Sequence, residues 1–148
     1  LLLAAGKGVY LAVGIAVQTH DAQHFVDTLV DLINLVSLRT GYSIGGFDAD
    51  KIVGTNLCLG IGKQDEPFEG IGRRVLNIEP MPAIRDAAGG IGTPTSDHER
   101  TKMDIGTHHI LAIINGYSGS EGLHEAAEMT VDLLQRHASA MQCRIWMF

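Results

Sequence analysis

The run Ile110–Tyr117 reads ILAIINGY, an apolar stretch of strand length rich in β-branched side chains. Behind it stands Ser118-Gly119-Ser120-Glu121, a Ser-x-x-Glu capping box that predicts a helix start. Leu123, Ala127, Val131, Leu134 and Ala138 then fall on one apolar stripe. Arg136 and His137 complement the dipole of the last turn. Cys143–Phe148 closes the segment as a second strand, so this end reads β-α-β.

The other end follows the same plan. Val9–Val17, VYLAVGIAV, predicts a strand, and Thr19-His20-Asp21 offers helix caps. Phe25, Leu29, Leu32, Ile33 and Val36 share a helical face, Gly41 stops the helix, and Tyr42–Phe47 reads as a short strand. Leu11-Ala12-Val13 matches Leu111-Ala112-Ile113, and His24 matches His124. After a one-residue gap, Val30–Ile33 matches Val131–Leu134, while Ile44 and Phe47 match Ile145 and Phe148. Two readings stand side by side: an internal β-α-β duplication, and chance resemblance between apolar segments.

The expected fold is α/β of the α+β kind. It is a two-layer sandwich with a mixed or antiparallel sheet and both long helices on one face. Residues 1–148 form a single domain, with halves at about 9–47 and 110–148 flanking a Gly/Pro-rich middle, 48–109. Within that middle, Asn56–Ile61 and Arg74–Ile78 are candidate strands, and Glu79-Pro80-Met81-Pro82 is extended.

Composition narrows the function classes. With 45% hydrophobic and 19% charged residues in 148, the chain can bury a core and is not disordered. Seventeen acidic against eleven basic side chains give a net charge of −6, which excludes a generic nucleic-acid binder. Gly6-Lys7-Gly8 interrupts the apolar start, so no stretch reaches the roughly 18–20 residues of a membrane span. Cys58 and Cys143, far apart and without CxxC spacing, read as buried thiols in a reducing, cytoplasmic compartment. The apolar segments Leu1–Ala5, Asn56–Ile61 and Arg144–Phe148 exceed what a domain of this size hides, so a homo-oligomer, at least a dimer, is expected.

Gly89–Arg100, GGIGTPTSDHER, is the leading candidate site, a glycine-rich loop. Gly90 and Gly92 permit close approach of a ligand to backbone amides, and Thr93, Thr95 and Ser96 add hydroxyls. Asp97, His98 and Glu99 place two carboxylates around an imidazole, a grouping suited to general acid–base work or metal binding. His98 is the expected acid–base group, oriented by Asp97 or Glu99. Arg73, Arg74 and Arg100 are the candidate holders of a small anionic metabolite, since a guanidinium matches carboxylate and phosphate geometry. The competing account is structural: Ser96-x-x-Glu99 is itself a capping box, and each Arg can be a surface ion pair.

His20 and His24 sit at i, i+4 and, with His98, form a candidate site for a divalent metal; the sequence leaves the cofactor otherwise open. His108 and His109 begin a strand, where neighbours face opposite ways. His124, Glu128 and Asp132 line the polar side of the second helix and read as a solvated stripe. Gly90-Ile91-Gly92-x-Pro94 with Asp97-His98-Glu99, His109-Ile110 and the upstream His20-x-x-x-His24 resembles, over a small part of the chain, the histidine-responsive antiterminator proteins. That resemblance implies a histidine-held metal and an RNA partner. The segment after Ile110 has no counterpart in that pattern, and the expectation does not rest on it.

Two functions from different classes follow. One is an enzyme of small-molecule metabolism, hydrolytic or isomerising, with the Gly-rich loop and the His/acid group at a subunit interface. The other is a non-catalytic homo-oligomeric assembly, or a metabolite- or metal-sensing protein.

Overall fold

The computed structural model describes residues 2–4, 9–17, 22–117 and 119–147, with side chains from Val26 onward. The elements are β1 (Leu2–Ala4), β2 (Val9–Val17), α1 (Ala22–Thr40), β3 (Ser43–Asp48), β4 (Asn56–Ile61), β5 (Pro82–Asp86), β6 (Gly89–Thr93), β7 (Ser96–Asp97), β8 (His109–Gly116), α2 (Leu123–His137) and β9 (Ala140–Met147). Among the described residues no helix is long and apolar enough to cross a membrane.

The main sheet has the order β3-β8-β2-β9, and every neighbouring pair is antiparallel. The two β-α-β ends are therefore interleaved: β8 of one lies between β2 and β3 of the other, the split β-α-β arrangement of ferredoxin-like folds. Strand β8 shows why both layers form. Ile110, Ala112 and Ile114 cluster with Leu29 and Val36 of α1 and with Leu123, Ala126, Ala127 and Leu134 of α2. Leu111 and Ile113 point the other way, against Phe47, Leu57, Ile84 and Ile91. A strand buried on both faces needs no polar alternation, which is why ILAIINGY reads as an unbroken run. Both helices thus lie on one face, as the two-layer expectation has it.

The opposite face is covered by a second sheet, β1-β4-β5-β6-β7, which the sequence did not announce. It is built largely from the middle segment, with β1 parallel to β4 and the other pairs antiparallel. Asn56–Ile61 is a strand, as expected. Arg74–Ile78 is not: Val75 makes one isolated bridge to Glu69, and the backbone runs otherwise without a ladder. Gly89–Thr93 corrects the reading of a glycine loop, because it is strand β6. Its glycines accommodate neighbouring rings. A Cβ on Gly90 would stand 2.9 Å from Cδ2 of Phe68, and one on Gly92 would stand 2.7 Å from Cζ of Phe47.

Phe47 is wholly buried, so it cannot move aside cheaply. Gly92→Ala is expected to destabilise the domain by about 1–3 kcal/mol, the usual range for overpacking. Urea unfolding should show a lower midpoint with an unchanged slope. A midpoint equal to that of the parent would mean the ring has room to shift.

One helix end is as expected and one is not. Helix α1 stops at Gly41, which is left-handed at φ 76° and donates its N–H to Ser37 O. Helix α2 starts after Gly122, which provides no side-chain cap, instead of at the Ser-x-x-Glu box; Ser118 lies outside the described residues. The thiol expectation also needs correction at Cys58, which is exposed, while Cys143 is half-buried. In β4, Leu57 and Leu59 turn into the core, and Cys58 between them points to the other face of the sheet, where it is exposed.

The pairing of the sheet follows a shift of 101, one residue off the match made at Leu11–Val13 and at His24. Ile44 pairs with Ile114, and Ile145 pairs with Val13, so the sheet exchanges its halves under a shift of 101. That shift agrees with Val30–Val131 and Ile44–Ile145. The match of Leu11–Val13 to Leu111–Ile113 uses a shift of 100, which would set Ile145 against Gly14, and Gly14 in fact pairs with Arg144.

Candidate functional site

A cavity of about 260 Å³ opens between α1, β3 and the stretch from Asp97 to Met103. Its apolar wall is Val26, Val30 and Ile33 from α1, Ile44 from β3, and Met103. The helix stripe that includes Ile33 thus serves two purposes. Leu29 and Val36 go to the core, while Ile33 lines the cavity. Gly46 makes the space: a Cβ there would meet Cδ1 of Ile33 at 2.8 Å and Cε of Met103 at 3.1 Å. The polar lining is Asn34, Asp97 and Lys102, with Ile71 beside them.

Asp97 is the chemically distinctive group. Its Oδ2 accepts the Gly46 N–H at 3.1 Å, and among the described residues Oδ1 takes no hydrogen bond and no cation pairs with the carboxylate. Burial outweighs that one bond and pushes the carboxyl pKa up to about 7. Gly45 and Gly92 allow it to sit there, since a Cβ on either would fall 3.1 or 3.2 Å from Oδ1.

The neighbours of Asp97 have other tasks. His98 caps the 3-10 turn Glu99–Thr101, its Nδ1 accepting the Arg100 N–H at 3.0 Å. The cap is thus His98, not Ser96. Its ring meets Phe68 edge to face at 5.0 Å, and burial, then Arg100, lowers its pKa. Glu99 pairs with Lys102, accepts the Gly72 N–H and lies below the usual carboxylate range for those reasons, the lysine first. Arg100 is committed to Asp86 through two bonds of 2.9 Å each. The Thr93 hydroxyl is used within its own turn, donating to Ser96 O and accepting the Ser96 N–H, and Thr95 is exposed at that turn.

Arg73 and Arg74 lie on the turn that follows Ile71. Ile71 N–H donates to Asp97 O at 3.0 Å, and Glu99 N–H to Glu69 O at 2.8 Å, so the turn is pinned to the segment carrying Asp97. Among the described residues neither guanidinium has an ion-pair partner, and both residues are exposed. Of the residues expected at the site, Asp97 lines the cavity, Gly92 packs against its carboxylate, and the Arg73–Arg74 turn reaches the cavity only through Ile71, while Gly90 and Arg100 are engaged elsewhere.

The proposed metal set does not assemble among the described residues, where no three His, Cys, Asp or Glu side chains come together. His20 and the side chain of His24 lie outside the described residues. His109 pairs with Asp50 at 2.9 Å, and His108 is exposed. The acidic stripe of α2 is solvated, with His124 beside Glu128 and Asp132 beside Arg136.

A second concavity, about 490 Å³, lies along Gln64–Pro67 and Val75–Asn77. It is wider, but its carboxylate Glu66 is paired with Arg85 at 2.6 Å, which lowers its pKa. The smaller cavity is the better candidate because its acid is free to react.

Sequence reasoning found Asp97 but missed Ile33, Asn34, Gly46, Lys102 and Met103. The available signal was Gly45-Gly46 inside a strand, which marks a close approach to the backbone. No curated protein matches the sequence. Residues 15–139 match a B3/4 domain, a span from β2 to the end of α2 that includes the whole cavity, and the chain belongs to the B3/4 domain family.

Proposed function

We propose that the chain binds the aminoacyl end of a tRNA in the Asp97 cavity and hydrolyses its ester. Membership of a phenylalanyl-tRNA synthetase-like, tRNA-binding family supports the RNA partner. The observation that carries the chemistry is the Asp97 carboxyl, set in an apolar cavity with a pKa of about 7 and one hydrogen bond. An apolar pocket with a few convergent polar groups suits a small side chain attached to a polar head.

In this reaction Asp97 accepts a proton from water as the oxygen adds to the ester carbonyl. The carbon–oxygen bond to the ribose then breaks, and Asp97 returns the proton to the ribose oxygen. Amino acid and tRNA are the products, and no other reactant is needed. A carboxylate with a pKa near neutrality is matched to that exchange. Lys102 lines the cavity but is paired with Glu99, so it has no assigned part in the reaction. His98 and Glu99 act as positioning residues by fixing the turn beyond Asp97.

The test is release of amino acid from a panel of aminoacyl-tRNAs, followed by acid precipitation. Activity should rise as the pH passes through about 7 and then level off, because the ionised carboxylate is the active form. No release from any member of the panel would end this reading. The net charge of −6 still excludes indiscriminate polyanion binding, so contact with RNA must be local.

A further inference from the structure

We infer that the turn Gly70–Arg74 is a phosphate-gripping lip, which holds the single-stranded 3′ end of the RNA while its aminoacyl group enters the cavity. The inference rests on the reading of the cavity as an aminoacyl site and names the residues that bring the RNA to it. The first support is place. Ile71 lines the cavity, and two and three residues later Arg73 and Arg74 project into solvent.

The second support is the state of the cations. Arg100 and Arg85 are consumed by Asp86 and Glu66, Lys51 by Asp104, and Lys102 by Glu99. Arg73 and Arg74 are adjacent and, among the described residues, free of any carboxylate. In a protein of net charge −6, two free guanidinia side by side form a local positive site in an otherwise repulsive field.

The third support is rigidity. Arg73 N–H donates to Gly70 O at 2.9 Å, closing the turn, and Gly72 takes the left-handed φ of 65° that it requires. Bonds to Asp97 O and from Glu99 N–H then tie the turn to the cavity edge. A pre-set pair of guanidinia loses little freedom on meeting phosphate oxygens, and each can also stack on an unpaired base.

The test measures binding of uncharged tRNA by fluorescence anisotropy across a salt series. Arg73→Ala/Arg74→Ala should weaken binding about tenfold at low salt and lower the slope of log K against log salt by about 1.4, the value for two single-strand phosphate contacts. A tRNA trimmed of its single-stranded 3′ nucleotides should bind the unaltered chain as weakly as intact tRNA binds the double variant. Arg73→Lys/Arg74→Lys should keep most of the slope, because the charges remain. Melting temperatures of all variants should match the parent, which separates a lost contact from a lost fold.

Equal affinity and equal slope for the parent and the double Ala variant would overturn the lip, as would absence of tRNA binding by the parent. Hydrolysis of an aminoacyl ester that carries no phosphate, by the unaltered chain, reads the cavity alone. A chain that cleaves no ester yet shows the slope change keeps the lip and loses the hydrolytic reading.

Discussion

Asp97→Asn should abolish deacylation and at the same time stabilise the protein above neutral pH. The loss of activity follows from removing the proton acceptor, for which a drop of about 10²–10⁴ in kcat is the usual scale. The gain in stability follows from linkage. In the unfolded chain an Asp loses its proton near its ordinary value of 3.8, whereas in the fold Asp97 keeps it to about 7. Between those values the native state binds more protons than the unfolded state, so stability falls as the pH rises through that window and levels off above it. The full difference is on the order of 4 kcal/mol at pH 8, from about 1.4 kcal/mol for each pH unit.

Asn retains the oxygen that accepts the Gly46 N–H and carries no charge to desolvate. The variant should therefore lack this pH slope and melt higher than the parent at pH 8. Denaturant titrations of both proteins at several values between pH 4 and 8 test it. A parent whose stability is flat across that window would show that Asp97 is solvated and ordinary. Full activity in the variant would remove Asp97 from the reaction. A catalytic acid held at a stability cost is the pattern expected where activity and stability compete.

Much of the scaffold was legible, and the reason is visible in β8 and the helices. Apolar period and run length report burial, and Ile110–Tyr117, Val9–Val17 and Asn56–Ile61 are runs whose burial or pairing fixes their limits within a residue. Strand β6 was illegible for the opposite reason. Gly89, Gly90 and Gly92 carry no side chains to show alternation, and their places are set by the rings of Phe68 and Phe47, distant in sequence. The cavity was half legible. Asp97 stood out by its chemistry, but its walls are α1 residues that share a stripe with core residues. Periodicity cannot tell Ile33, which lines the cavity, from Leu29, which does not. Apart from Asn56–Ile61, the second sheet was hidden because its strands are short and come largely from a segment rich in Gly and Pro, which reads as loop.

Asp86→Ala should strongly damage the fold, costing about 3–5 kcal/mol, the scale for stripping one partner from a buried ion pair. The Asp86 carboxylate is buried and acts as a junction. Oδ2 accepts the Val53 N–H at 2.8 Å, and Oδ1 accepts the Ala88 and Gly89 N–H groups at 2.9 and 3.1 Å. Arg100 bonds both oxygens. The side chain thus joins the β5–β6 turn, the approach to β4 and the turn that follows Asp97. Alanine would leave three amides without their acceptor and a half-buried guanidinium without its anion.

Burial alone would raise the Asp86 pKa, but Arg100 and the Val53 and Ala88 amides overcome it and hold the carboxyl below its usual range. Its contribution is therefore present above the unfolded pKa of an Asp and is lost as the pH falls through the lower folded value. This is the reverse of Asp97, so the parent should be most stable in mildly acidic solution, where Asp86 is ionised and Asp97 is not.

A double-mutant cycle with Arg100→Ala separates the pair from the amides. If the ion pair dominates, the double variant should be little worse than Asp86→Ala. If the amides dominate, Arg100→Ala alone should cost far less than Asp86→Ala. A loss below about 1 kcal/mol for Asp86→Ala, within the range of surface substitutions, would show that water replaces the carboxylate and that the junction is not structural. Because Arg100 also donates its N–H to His98, loosening Asp86 should disturb the turn beyond Asp97 as well. The fall in stability and a fall in tRNA deacylation should then appear together.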